Sequence, residues 1–224
     1  MGVLSDLAAA QRYLLDNQGE FMELFTEHLQ LVVFSELLAI AVAVPLGIVA
    51  TRSDGLKGPI LTLGNVAQTI PTLAIIALVF PILGIGFLPA FVGLFVYAIL
   101  PILTNTITGI EDVDESTVDA ARGMGMTAWE ILRKIQLPRA VPVIFAGIRT
   151  SAVINVGTAY LAFFIGGGAL GVWVVGGIRL YNMAQVFAGA IPGALLAISM
   201  DTAFALVERR LGGETLQYGS VATG

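Results

Sequence analysis

The chain has 224 residues, of which 57% are hydrophobic and 12% charged, and its net charge is −5. A soluble domain carries about 25% charged residues, so this composition points to a chain that crosses a membrane several times. The acidic balance excludes a nucleic-acid-binding role, which needs a basic stripe. With no cysteine and one histidine, His28, the chain offers no disulfide and no zinc-ligand set. Phosphate-loop, nucleophile-elbow and zinc-protease motifs are missing too, so no catalytic group, metal site or cofactor is expected in this chain.

Residues 1–27 read as an N-terminal extracellular or interfacial segment. Within it, Val3, Leu4, Leu7, Leu14 and Leu15 recur at helical spacing among Asp6, Arg12 and Asp16, which suits either a short helix at the membrane surface or a surface tail. The three charges argue against a span here. His28 is placed at the interface. The first predicted span covers 28–50, since about 20 residues cross the hydrocarbon core.

A second span is predicted at 59–83. Its first half is polar, with Thr62, Asn65, Gln68, Thr69, Pro71 and Thr72. That composition suits helix–helix hydrogen bonding or a water-filled path. The third predicted span ends near 108 and holds Tyr97, Pro101 and Asn105. The fourth runs over 141–165 and is broken by GGGALG at 166–171. A short amphiphilic stretch, 172–183, carries Trp173, Arg179 and Tyr181, aromatic residues of the kind that mark a water interface. The fifth span is predicted at 186–207, and 211–224 reads as a polar tail.

About five spans place Arg52, Lys57, Arg122, Arg133, Lys134, Arg139, Arg209 and Arg210 on one side and Arg12 and Arg179 on the other. The positive-inside rule then puts the N-terminus outside and the C-terminus in the cytoplasm. Residues 28–210 form the membrane domain, and the loop 109–140 is cytoplasmic.

That loop contains the longest charge-bearing interval between apolar blocks, VDAARGMGMTAWEILRKIQLP at 118–138. Ser116 or Thr117 is placed to cap a helix start. Ala120 and Ala121 leave room for another protein surface, and Gly125 permits a turn. Trp129, Ile131, Leu132 and Ile135 supply an apolar face toward the chain's own spans. Pro138 is expected to stop the helix before the chain re-enters the membrane.

The spacing Asp119-Ala120-Ala121, three residues, Gly125, nine residues, Ile135, one residue, Leu137-Pro138 resembles the EAA loop of permease subunits in ABC importers. Only the first position departs, with Asp119 where the family has Glu. The stretches HLQLVVFSELLAIAVAVPLGIVATR, NVAQTIPTLAIIAL, YAILPILTNTITGI and FIGGGALG look most like permeases for glycine betaine, choline, carnitine and related osmoprotectants; methionine permeases share parts of the pattern.

The resemblance implies an all-α polytopic fold of the type I importer class, with a coupling helix at Asp119, Ala120, Ala121, Gly125, Ile135, Leu137 and Pro138. It also implies a cytoplasmic ATPase dimer that holds the ATP and Mg, a second permease copy or paralogue, and a separate solute-binding protein outside. A permease for another small solute such as methionine, or a stand-alone channel or carrier, are the competing readings.

Three ionisable residues fall inside predicted spans. Arg149 and Asp201 both lie about 12 Å from the cytoplasmic end and are expected to pair. Glu36 lies nearer the outer side, facing a dimer seam or a polar cluster. Quaternary ammonium groups favour aromatic faces, so Tyr97, Tyr160, Phe163 and Phe164 join Asn65, Gln68 and Asn105 as candidate path residues.

Overall fold

The computed structural model describes residues 3–212, and all of its regular elements are helical. The segment 213–224, most of the expected tail, lies outside the described residues. Helix α1 (Val3–Asp16) is 14 residues long, about 21 Å, too short to cross a hydrocarbon core of about 30 Å. It packs beside the last helix instead.

Helix α2 (Gln18–Ala50) runs through the expected interfacial segment and the first span without a break. The expected boundary at His28 therefore disappears. His28 is fully buried rather than interfacial. Its Nε2 lies 3.1 Å from the Val156 carbonyl, and its ring meets Tyr160 edge-on at 4.9 Å.

The second predicted span is two helices, α3 (Asp54–Thr69) and α4 (Thr72–Leu83), whose axes meet at 94°. Pro71 explains the break. It lacks an N–H for the helical ladder and forces the preceding residue out of the α region. Ile70 accordingly sits at φ −84°, ψ 122°.

Helix α5 (Phe87–Glu111) is the central post and packs most extensively against α2 and α8. Its contacts rest on small residues: a Cβ at Gly93 would stand 2.5 Å from Ile76 Cγ1, and one at Gly47 of α2 would stand 2.7 Å from Thr106. The main core gathers Ala39, Ala43, Ala98, Ile102, Leu103 and Ile144 from these three helices.

Helices α6 (Glu115–Gly123) and α7 (Ala128–Ile131) form the loop at the basic end. From α7 the chain passes through a π-helical turn, Leu132–Gln136, into α8 (Leu137–Ala159) and a 3-10 turn, Tyr160–Ile165. Pro138 therefore does not stop a helix; it sits in the first turn of α8. The wide turn before it, closed by the Leu137 N–H to the Leu132 carbonyl, gives the ring room that a regular α-helix would deny.

The short helix α9 (Gly171–Arg179) and the long α10 (Met183–Gly212) complete the chain. Trp173 is not interfacial: it is fully buried, against Tyr13 of α1 at 5.1 Å and Phe21 of α2 at 5.8 Å. The fold-back of α1 covers it. By length and hydropathy, α2, α5, the run Ala128–Ile165 and α10 are each able to cross a membrane, and the bent α3–α4 pair makes a fifth span if taken as one.

Candidate functional site

Helix α6 starts at Asp114, whose side chain accepts from the Ser116 N–H at 3.2 Å and the Ser116 hydroxyl at 2.6 Å. Asp114 is therefore the cap, in place of the expected Ser116 or Thr117. The Ser116 hydroxyl, then its N–H, hold the Asp114 carboxyl below its ordinary pKa, because both stabilise the charged form. The helix turns back at Gly125, which has φ +82°, in the left-handed region that favours glycine.

A capping box then opens α7. The Glu130 N–H meets the Thr127 hydroxyl at 3.3 Å, and the Glu130 carboxylate accepts the Thr127 N–H at 3.0 Å. Such caps hold a helix start by satisfying orphan donors. Thr127→Ala should destabilise the start of α7 by about 1 kcal/mol, read as faster amide exchange at Glu130 with the rest of the chain unchanged.

The underside of this loop is a small core of Val118, Ala121 and Ile131, with Ile135 packed against it. Ala121 is thus 1% exposed and points inward, not toward a partner as expected. Its neighbour Ala120 is exposed. Asp119 is exposed and pairs with Arg122 at 2.9 Å on its own helix. Leu137 packs on the main core, and Pro138 is exposed.

Trp129 departs from the expected inward face. It is 65% exposed, as Met124 is at 74%. Trp129 and Leu132 border an apolar cavity of about 340 Å³ that also touches Ile48 and Val49 of α2 and Arg52 in the turn after it. Polar ties moor the loop to the spans: Lys57 pairs with Glu111 at 2.6 Å, and Arg52 contacts the Gln136 amide oxygen.

Deeper in the bundle, Arg149 of α8 and Asp201 of α10 form a two-point ion pair, with Arg149 Nη2 at 2.7 Å from Asp201 Oδ2 and Nε on Oδ1. Both side chains are more than a third exposed on this chain. Glu36 is 2% exposed and lies inside the protomer, not on a seam. It accepts from the Ser151 hydroxyl at 3.0 Å and from the Asn155 amide at 2.8 Å. Sequence reasoning missed both partners. Their signal was spacing: Ser151 and Asn155 stand four residues apart, on one helix face.

The candidate path residues fall in separate places. Asn65 is exposed, and Gln68 donates to the Tyr97 carbonyl at 3.3 Å. Asn105 donates to Pro101 on its own helix. Tyr160 donates to the Gly189 carbonyl at 3.0 Å, and its ring fills the space that a Cβ at Gly193 would need. Phe163 carries the Arg179 guanidinium 4.9 Å from its ring centre. Phe164 meets Phe163 edge-on at 5.4 Å and lines a cleft of about 460 Å³ with Leu73, Ala77 and Phe80 of α4. Another missed residue, Glu27, accepts the Ala169 N–H at 3.1 Å and so fixes the glycine-rich loop.

A relative in Bacillus subtilis (strain 168), the glycine betaine/carnitine/choline transport system permease protein OpuCB, is 43% identical over 205 residues, covering 92% of this chain and 94% of that one. The osmoprotectant import permease protein OsmW of Salmonella typhimurium (strain LT2) is 41% identical, covering 84% and 90%. Among solved structures, an inward-facing form of the MetNI methionine ABC transporter aligns with TM-score 0.75 at 22% identity, over 83% of this chain and 93% of that one. That likeness shows the importer-permease fold. Residues 43–213 match the family described as binding-protein-dependent transport system inner membrane component. With that match, the relatives above and its apolar helices, the chain is a multi-pass membrane protein that belongs to the binding-protein-dependent transport permeases.

Proposed function

We propose that this chain is the permease subunit of an ATP-driven importer for osmoprotectants of the glycine betaine, choline and carnitine type. The observation that carries the coupling role is the loop at the basic end. A nine-residue helix, α6, sits between two apolar spans. It keeps Val118 and Ala121 for its own underside and presents Ala120 outward, with Met124 and Gly125 exposed in the turn that follows. An exposed helix braced from below is suited to lie in a groove of a partner. That partner is a cytoplasmic ATPase dimer, which supplies ATP and Mg, so this chain does no covalent chemistry.

The charge distribution supports a cytoplasmic loop and C-terminus with the N-terminus outside. A second permease, identical or paralogous, completes the path, and a solute-binding protein delivers the substrate from outside. The substrate class rests on relatives above 40% identity, one named for glycine betaine, carnitine and choline and one for osmoprotectants. The methionine transporter shares the fold at 22% identity and carries no substrate argument.

The test uses the permease purified with its ATPase. ATP hydrolysis should rise when binding protein loaded with glycine betaine is added. An Ala120→Cys variant should lose reactivity to a water-soluble thiol reagent once the ATPase is bound. Full reactivity in the assembled complex, or labelling from outside the cell, would overturn the coupling role.

A further inference from the structure

The Glu36 cluster does no work in the proposed transport mechanism. It draws on three spans. Glu36 and Ser35 come from α2, the Ala98 carbonyl from α5, and Ser151 and Asn155 from α8. Ser151 Oγ donates to Glu36 Oε2 at 3.0 Å and lies 3.2 Å from the Ala98 carbonyl, and Asn155 Nδ2 donates to Glu36 Oε2 at 2.8 Å and to Ser35 Oγ at 3.4 Å. All four side chains are at least 98% buried.

Two acceptor atoms in this cluster, Glu36 Oε1 and Asn155 Oδ1, have no hydrogen-bond partner among the described residues. Native interiors rarely leave buried acceptors so, and a buried carboxylate needs a compensating charge. No Lys or Arg among the described residues pairs with Glu36: Arg149, two residues before Ser151, is held by Asp201. His28 lies two turns away on α2 and is turned to the Val156 carbonyl. A water would satisfy the two acceptors and leave the charge. A proton would cancel the charge, and a protonated-carboxyl band in the infrared distinguishes it from a metal ion.

We propose that this cluster is a binding site for one small monovalent cation, with sodium as the fitting ion. The donor set is all oxygen, as a hard cation requires: the Glu36 carboxylate, Asn155 Oδ1, Ser35 Oγ, Ser151 Oγ and the Ala98 carbonyl. Asn155 Oδ1 and Glu36 Oε1 are the two unpartnered acceptors and carry free lone pairs for the ion, while Asn155 Nδ2 keeps its bond to Glu36 Oε2. Charge fixes the valence. One carboxylate balances one positive charge, whereas a divalent ion would leave a net charge in an apolar bundle. Bound there, the cation ties α2, α5 and α8 at a single point. The sequence offers no cysteine–histidine metal motif because these donors come from residues 35 to 155 and only the fold assembles them.

The test is the thermal midpoint of the full-length chain in lipid nanodiscs, in sodium chloride and in N-methyl-D-glucamine chloride at equal ionic strength. Sodium at about ten times its Kd should raise the midpoint by roughly 3 to 6 °C. Glu36→Gln should abolish that difference, and the milder Ser35→Ala should shift the half-maximal sodium concentration upward. Equal midpoints in the two salts for the unaltered chain would overturn the site, as would a sodium response kept by Glu36→Gln. An infrared band of a protonated carboxyl in sodium, lost in Glu36→Gln, would assign the charge to a proton and also overturn it.

Discussion

Replacing Gly147 by leucine should remove most of the folded protein from detergent extracts. A Cβ at this position would stand 2.6 Å from Asn105 Cβ and 2.7 Å from the Pro101 carbonyl oxygen. The second of these is backbone, so no side-chain rotation relieves it, and α5 and α8 must separate. These helices share one of the largest contacts in the bundle. Overpacking of this kind costs about 1–3 kcal/mol for modest additions, and Gly147→Ala should fall in that range. Leucine adds three further carbons to the same gap. Gly157 is the matched control on the same helix, since nothing lies within 4 Å of its would-be Cβ. Gly157→Ala should leave the midpoint unchanged or raise it by the helix-propensity gain of about 1 kcal/mol. Size-exclusion yield and thermal midpoint read both outcomes, and equal behaviour of the two glycines would refute the packing argument.

Arg149→Ala and Asp201→Ala should each abolish most transport in reconstituted vesicles, while the exchange Arg149→Asp with Asp201→Arg should recover a large part of it. Each single change strands one charge at membrane depth, where it has no favourable surroundings. The exchange keeps both charges and the bridge between α8 and α10. Replacing both residues by a neutral pair separates a packing role from a coupling role. Transport kept in the neutral pair means that the charges only compensate each other. Transport lost there, with folding intact, assigns them to the relay between loop and span. Solute uptake and the thermal midpoint are measured together, so that a folding defect is not read as a coupling defect.

Much of this architecture was legible from hydropathy, because a bilayer allows few alternatives to a long apolar helix. Boundaries were harder. The first span starts ten residues before His28, at Gln18, since Glu20, Glu23 and Glu27 are tolerated on a helix that projects from the lipid. Pro71 was visible in the sequence, yet a proline inside an apolar run is equally compatible with a kinked single span. Only the packing of α4 against α5 decides for a right-angled break. In the loop, the motif spacing misassigned two faces. Ala121 points in because it shares a helix face with Val118, three residues earlier, and Trp129 points out on a helix set apart by the turn at Gly125, which no helical wheel crosses. The Glu36 contacts were illegible for a different reason: their partners lie more than a hundred residues away.

The unbroken course from Ala128 to Ile165 covers 38 residues, about 57 Å of near-continuous helix. Its near end carries Trp129 and its far end adjoins the glycine-rich loop. A π-helical turn at Leu132–Gln136, a distortion that often marks a hinge, lies close to the Trp129 end. If the loop is pushed, this wide turn is the place where the run can bend, and tightening it to a regular turn would join loop helix and span into one rigid rod.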